Sequence, residues 1–332
     1  SEQSATPIPF ESVCVSPGSS IEERSSSLEG RILFARTEGE RAGLYLVTLL
    51  DVPETRLLLG VPDVDLRTIS WQDADLSPDG QQIVLASQME EGLTELYVVG
   101  VENGSWRRLT NNSLEERDPV WSPDGTQIAF SAKNESTNGD DVAEEGDMWD
   151  IYVIEVDGAN LRQITQSGGA STSPSWSPDG QWLSYHLFRR QDGLNSLYLV
   201  NLETGEHREL TPALTPWAWY EECFPWSPDG NYLATVGQSR SARSLYLVDV
   251  DTGSETRILD TAHYTSISEV ERAGAGRVFR PVWSPDGAAI AFEWVCNRWS
   301  SDRHAIYVLQ DGDLQLLAEW SDVPLIPLSW RP

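Results

Sequence analysis

Basic side chains are scarce in this sequence. Its 332 residues hold 23 Lys and Arg against 52 Asp and Glu, a formal net charge of −29. A surface so acidic repels nucleic-acid phosphates and anionic lipid, so neither is expected as a partner. Divalent cations and basic proteins would be attracted instead. No apolar run reaches the 18 residues that a membrane-spanning helix needs, so no span is expected. Histidine is limited to His186, His207, His263 and His304, and cysteine to Cys14, Cys223 and Cys296. The three cysteines match no zinc spacing. A Gly-x-Ser-x-Gly elbow is missing, and with it the nucleophile of a serine hydrolase. The opening SEQSATPIPF has neither the basic flank nor the apolar centre of a leader. It reads as the start of a mature chain whose export signal has been removed, which implies an extracellular or periplasmic protein.

Tryptophan, in contrast, is plentiful: there are 14. Four of them open a repeated pentapeptide. WSPDG occurs at 121–125, 176–180, 226–230 and 283–287, and LSPDG at 76–80. The closing glycines are 45, 55, 50 and 57 residues apart. An apolar strand follows each motif (QQIVLAS, TQIAFSA, QWLSYHL, NYLATVG, AAIAFEW). Next comes a strand carrying Tyr97, Tyr152, Tyr198, Tyr246 or Tyr307, and then a third short one such as WRRLT or HRELT. The runs alternate apolar and polar residues and are separated by turn residues, the pattern of half-buried strands. Within Ser-Pro-Asp-Gly, Pro sets φ at the first turn position, Asp tolerates the second, and Gly accepts positive φ before the next strand. The preceding Trp is expected on an innermost strand, wedged between sheets, and the Tyr between neighbouring sheets.

Four strands in about 50 residues make a propeller blade. The chain ends in PLSWRP, the front half of the motif, while EGRILFA at 29–35 matches the back half. The expected fold is therefore all-β, a six-bladed β-propeller whose last blade is split. Its inner strand would come from 326–331 and its outer three from about 31–37, 43–50 and 54–60. Residues 30–332 would form this one domain and residues 1–29 an extended arm outside it.

The WSPDG-x-x-I-A-F…L-Y-V…R-x-L-T pattern resembles the WD-like propeller repeat of TolB-like proteins, over about residues 30 to 332. That resemblance implies the six-bladed fold. It leaves function open, because similar propellers serve as periplasmic interaction proteins, as domains of serine peptidases and as polysaccharide lyases. A lyase of this kind would hold a metal through several histidines in the channel. His207, in GEHREL, reads as a surface residue, which leaves His186, His263 and His304 for such a set.

Strand order places the SPDG turns and the other short turns on one face. The long connections, 131–149, 186–195, 211–223, 259–280 and 293–304, fall on the opposite face, where binding is expected. There Trp217, Trp219 and Tyr220 stand beside two glutamates. Trp294, Arg298, Trp299 and Arg303 form a second group, and Arg189 and Arg190 a third. Aromatic rings with arginines and carboxylates could hold a glycan or a peptide, or could pack on one another to cap the ring. Asp140, Asp141, Glu144, Glu145 and Asp147 offer hard oxygen ligands in a flexible loop, a candidate calcium site without EF-hand spacing; a plain solvated loop is the alternative. Cys223 and Cys296 fall on the same face of adjacent blades and could form a disulfide, or remain two thiols.

Residues 8–15, IPFESVCV, are the strand-capable part of the Ser- and Pro-rich arm. Phe10, Val13, Cys14 and Val15 could add a strand to a neighbouring subunit, which repeated head to tail builds a ring or a fibre. Folding back on the same subunit is the alternative. The functions in view are thus a non-enzymatic, self-associating extracellular protein such as a filament subunit, a glycan- or peptide-binding module, and a metal-dependent lyase.

Overall fold

Among the described residues, six small antiparallel sheets account for every strand of the chain's computed structural model. It describes residues 29–36, 43–49, 54–60, 69–88, 93–134, 149–189, 194–211, 224–238, 243–259, 277–298, 301–321 and 325–332. Blade 1 comprises β1 (Gly30–Arg36), β2 (Gly43–Leu49) and β3 (Glu54–Gly60). Blade 2 is β4 (Ile69–Leu76), β5 (Gln82–Ser87), β6 (Glu95–Gly100) and β7 (Trp106–Arg108). Blade 3 is β8 (Leu114–Trp121), β9 (Gln127–Asn134), β10 (Asp150–Glu155) and β11 (Arg162–Gln163). Blade 4 is β12 (Ala170–Trp176), β13 (Trp182–Arg189), β14 (Leu194–Asn201) and β15 (His207–Thr211). Blade 5 is β16 (Tyr232–Gln238), β17 (Arg243–Asp249) and β18 (Glu255–Leu259). Blade 6 is β19 (Arg277–Trp283), β20 (Ala289–Arg298), β21 (Ser301–Gln310) and β22 (Asp313–Ser321).

The last strand, β23 (Leu325–Arg331), is the inner strand of blade 1. It pairs antiparallel with β1, from Arg31 opposite Arg331 to Arg36 opposite Leu325. Among the described residues blade 5 shows three strands, residues 212–223 lying outside them. Its inner position is represented by a single bridge between Trp226 and Leu233. Pro225 stands directly before that Trp, and a proline has no N–H to offer a ladder.

Each motif turn is built alike. In the first copy the Gly80 N–H donates to Ser77 O at 2.8 Å, the Ser77 hydroxyl donates to Asp79 at 2.6 Å, and the Gln81 N–H donates to the same carboxylate at 3.0 Å. These donors hold the Asp79 carboxyl below the usual range, led by the serine hydroxyl, and do the same at Asp124, Asp229 and Asp286. The glycine then sits at φ of 68° to 76° in all five copies, a region that L side chains avoid.

The core is a ring rather than a centre. Among the described residues, six apolar clusters each fill one junction between consecutive blades, including the junction of blades 6 and 1. The repeated Tyr lies in these seams: Tyr97 packs toward Leu33 and Ala35 of blade 1, Tyr307 toward Ala234 and Val236 of blade 5, and Tyr45 toward Ala289 and Ala291 of blade 6. The motif Trp also crosses a seam. The indole N–H groups of Trp121, Trp176, Trp226 and Trp283 donate to carbonyls of the preceding blade, Asp75, Val120, Ser175 and Pro225, at 3.1 to 3.2 Å.

Candidate functional site

The inner strands surround a central channel, and a cavity of about 390 Å³ occupies the part of it next to the SPDG turns. Its lining comes from all six blades. Five of the walls carry the motif proline, Pro78, Pro123, Pro178, Pro228 and Pro285, at the mouth. One tier further along the strands stand Pro119, Pro174 and Pro281. The placement has a physical reason. The channel-facing edge of an inner strand has no further strand to pair with, so an N–H there would be left without a partner, and proline removes it. The wall that results is apolar and poor in donors. Most of the motif tryptophans contribute little ring face, Trp283 alone being only partly buried. Trp121, Trp176, Trp226 and Trp330 are between 3% and 9% exposed, with their rings turned into the seams.

Deeper in the channel the backbone is strained. Asp118, Ser173 and Arg280 have φ of 53°, 55° and 47°, and each is followed by a channel proline. A non-glycine residue in this region costs about 1–3 kcal/mol. All three occupy the same point of the repeat, where the ladder to the second strand slips: between Arg117 and Val120, Thr172 and Ser175, and Phe279 and Val282. The bulge turns two residues of each strand out of the ladder, and all three strained residues line the cavity. Three residues ahead of the motif Trp, they lie roughly 10 Å along the channel from it.

The charges in this wall nearly cancel, unlike the surface outside. Arg331 donates to both oxygens of Asp75 at 3.1 Å. Asp118 accepts from the Ser131 hydroxyl at 2.9 Å and the Ser173 N–H at 3.2 Å. Arg280, on blade 6, is 9% exposed and faces the channel three blades away from Asp118.

The face expected to bind is not where this cavity lies. Of the residues expected there, Trp294 is 1% exposed and packs between Phe292 and Tyr307 at 6.3 and 5.9 Å, inside the seam of blades 5 and 6. The expected loop 293–304 is instead the end of one long hairpin, since β20 and β21 pair as far as Arg298 opposite Ser301. Strand alternation puts Trp294 on the same side as Phe292, and so in the core. Arg298 and Arg303 belong to this hairpin, but their side chains, like that of Cys296, lie outside the described residues. Arg189 ends β13, half-buried, with Glu209 at 3.7 Å. Trp217, Trp219, Tyr220, Arg190, Trp299 and Cys223 lie outside the described residues, as do the acidic positions 140, 141, 144, 145 and 147 and all of residues 1–28.

The three described histidines are dispersed, and His263 lies outside the described residues. His186 is buried and stacks on Phe224 at 6.0 Å; burial pulls its pKa down to about 4, so it stays neutral. The His304 Nδ1 is 2.7 Å from Glu293. His207 is exposed on β15 and meets the Tyr185 hydroxyl at 3.0 Å. Among the described residues no group of three or more His, Cys, Asp or Glu could hold a metal ion. Sequence reading missed Asp118, Ser173 and Arg280. The signal was there: a proline two residues before the motif Trp in PVW, PSW and PVW marks the channel edge, and the residue before it is the strained one.

Comparison with known proteins agrees with this architecture. Residues 138–294 match the TolB beta propeller domain. A TolB homolog of Chlorobium luteolum is 32% identical over 190 residues, 45% of this chain and 42% of that protein. An uncharacterized protein of Agrobacterium fabrum is 24% identical over 80% of the chain and 82% of its own length. The crystal structure of TolB from Acinetobacter baumannii superposes with a TM-score of 0.64 at 21% identity, covering 91% of this chain and 67% of that one. Peptidases are among the further relatives, matched over 21% of their own length.

Proposed function

We propose that this chain, a TolB-like six-bladed β-propeller, is an exported, non-catalytic interaction module that holds an extended segment of polypeptide in the mouth of its central channel. The observation that carries this reading is the wall itself: a cavity of about 390 Å³ ringed by the repeats' own prolines. A glycan site needs several exposed indole faces or many donors, whereas four of the five indoles in this wall are buried and Trp283 alone is partly exposed. An apolar peptide segment needs only a dry, shaped wall and a few fixed charges. The scaffold is already formed, so binding costs little reordering of the protein.

The test is a displayed peptide library selected on the chain, with every enriched clone scored again on Ser175→Trp. Ser175 lines the cavity, and its backbone carbonyl, which receives the Trp226 indole N–H, is unchanged by the substitution. Clones should lose at least tenfold in affinity on the blocked variant. Enriched clones that bind both proteins alike would end the channel reading.

A further inference from the structure

We infer that a notch between the SPDG turns of blades 3 and 4 takes an arginine side chain from a basic partner protein. The notch lies outside the channel, and the inference does not depend on the channel reading.

A cavity of about 310 Å³ separates the two turns. Asp124 and Gln127 of blade 3 face Asp179 and Gly180 of blade 4 across it, and none of its lining residues is basic. The turns engage only Oδ1 of each aspartate. That atom of Asp124 accepts from the Ser122 hydroxyl at 2.7 Å and the Thr126 N–H at 3.0 Å, and that of Asp179 accepts from the Gln181 N–H at 3.0 Å. Both residues are exposed, so Oδ2 of each is left for a ligand.

Two carboxylates alone do not name that ligand. The repeat does, because in another seam it supplies the ligand itself. Ile32 pairs opposite Trp330 as Ile128 pairs opposite Trp121, so Arg31, one residue earlier, holds the place of Gln127. From blade 1 the Arg31 guanidinium reaches the turn of blade 2. It donates to the carbonyls of Pro332 at 3.2 Å, Asp79 at 3.3 Å and Gly80 at 3.4 Å. Counted from the motif Trp or Leu, the same positions between blades 3 and 4 are Pro123, Asp179 and Gly180, and all three line the notch. The notch therefore repeats the acceptors of a guanidinium site, adds the Asp124 carboxylate, and has an uncharged Gln127 where the arginine would be.

The other seams differ at this position. Blades 4 and 5 place the rings of Trp182 and Tyr232 there, and blade 6 has Ala289. Blade 2 has Gln82, but its turn already holds the Arg31 guanidinium. A planar guanidinium matches spread carbonyl and carboxylate acceptors better than an ammonium does. A net charge of −29 opposes docking of a second copy, which places the arginine on a basic partner.

The experiment titrates Nα-acetyl-arginine methylamide into the isotope-labelled full chain, followed by NMR, with the neutral citrulline analogue as control. The Gly180 N–H and the Gln127 side-chain amide should shift, with a dissociation constant on the order of millimolar, as suits a ligand of this size. The citrulline analogue should bind at least tenfold more weakly. Asp124→Asn combined with Asp179→Asn should weaken the arginine probe several-fold. Gln127→Arg should fill the notch from within and abolish the shifts, with a Tm no lower than the parent's. Ser175→Trp, which blocks the channel, should leave them unchanged. No shift at tens of millimolar probe overturns the inference, as does equal binding of the citrulline analogue or undiminished binding to Gln127→Arg. Loss of the shifts in Ser175→Trp would put the probe in the channel and also overturn it. A chain that is oligomeric and becomes monomeric with Asp124→Asn and Asp179→Asn would make a second copy the donor, against the basic partner.

Discussion

Replacing Asp75 by alanine should weaken the closed ring more than any other single polar substitution in the channel wall. Asp75 belongs to blade 2 but is bonded to both neighbours. Its two oxygens share Nη2 of Arg331 of blade 1 at 3.1 Å, and one of them accepts the Trp121 N–H of blade 3 at 2.9 Å. Its side chain is 8% exposed, and that of Arg331 28%. Removing one partner of a buried pair typically costs about 3–5 kcal/mol. Here the cost falls at the low end, because water reaches the guanidinium and the Leu76 carbonyl still accepts from it at 3.0 Å. The stranded Trp121 N–H adds to the loss. About 3 kcal/mol is the resulting expectation. With an unfolding entropy near 2.1 cal/mol/K per residue over about 300 residues, that is a fall in Tm of roughly 5 °C. Asp75→Asn, which can still accept from the Trp121 N–H, should cost about half. Thermal unfolding followed by circular dichroism gives both numbers. Hydrogen exchange should then speed up first in β23 and β1, where the ring opens. A double-variant cycle with Arg331→Ala should return a coupling of at least 1 kcal/mol. A Tm within 1 °C of the parent, or strictly additive losses, would refute the idea that this pair locks the ring.

Burial raises the Glu116 pKa to about 7, against the pull of Thr110, Asn112 and the Leu96 N–H and with some help from nearby Glu95. A carboxyl with a raised folded pKa binds more protons folded than unfolded, so its contribution is full below about pH 4.5 and is lost as pH rises through 7. The Glu116→Gln variant should therefore lose less stability than the parent between pH 5 and 7.5 in urea titrations; parallel curves would contradict this. His186 acts with the opposite sign: its folded pKa, lowered to about 4, makes stability fall as pH drops from 6.5 toward 4, and His186→Phe should remove that slope in the same titrations. Two glycines at similar φ should separate backbone strain from collision. Gly125→Ala, where a Cβ would meet nothing nearer than Pro78 at 3.8 Å, should cost about 1 kcal/mol by denaturant unfolding. Gly253→Ala, where it would stand 2.3 Å from the Leu210 carbonyl oxygen, should cost clearly more, and equal costs would argue against the collision. For the cysteines, non-reducing peptide mapping of material from an oxidising compartment should show Cys223 linked to Cys296; free thiols at both positions would rule out that pairing.

The sequence was readable wherever the structure depends on near neighbours in the chain. The Ser-Pro-Asp-Gly turn closes within five residues through its own serine and aspartate, so its geometry follows from the letters. Strand alternation carried the repeated Tyr into the seams for the same reason, and the two half-motifs at the ends matched because each copies half of a local pattern. Tertiary structure decided the rest. Whether 293–304 was a loop depended on two strands continuing to pair beyond the usual length, and that choice buried Trp294. The channel wall exists only once six blades have closed. The same prolines that read as turn and strand residues then become its surface, because inner-strand edges with no partner face one another across it. Asp118, Ser173 and Arg280 share no residue type, so no pattern of identity joins them. A common bulge, visible only in the ladder register, brings all three to the channel wall. Local hydrogen bonding is written in adjacent residues, whereas a cavity is set by what closes around it.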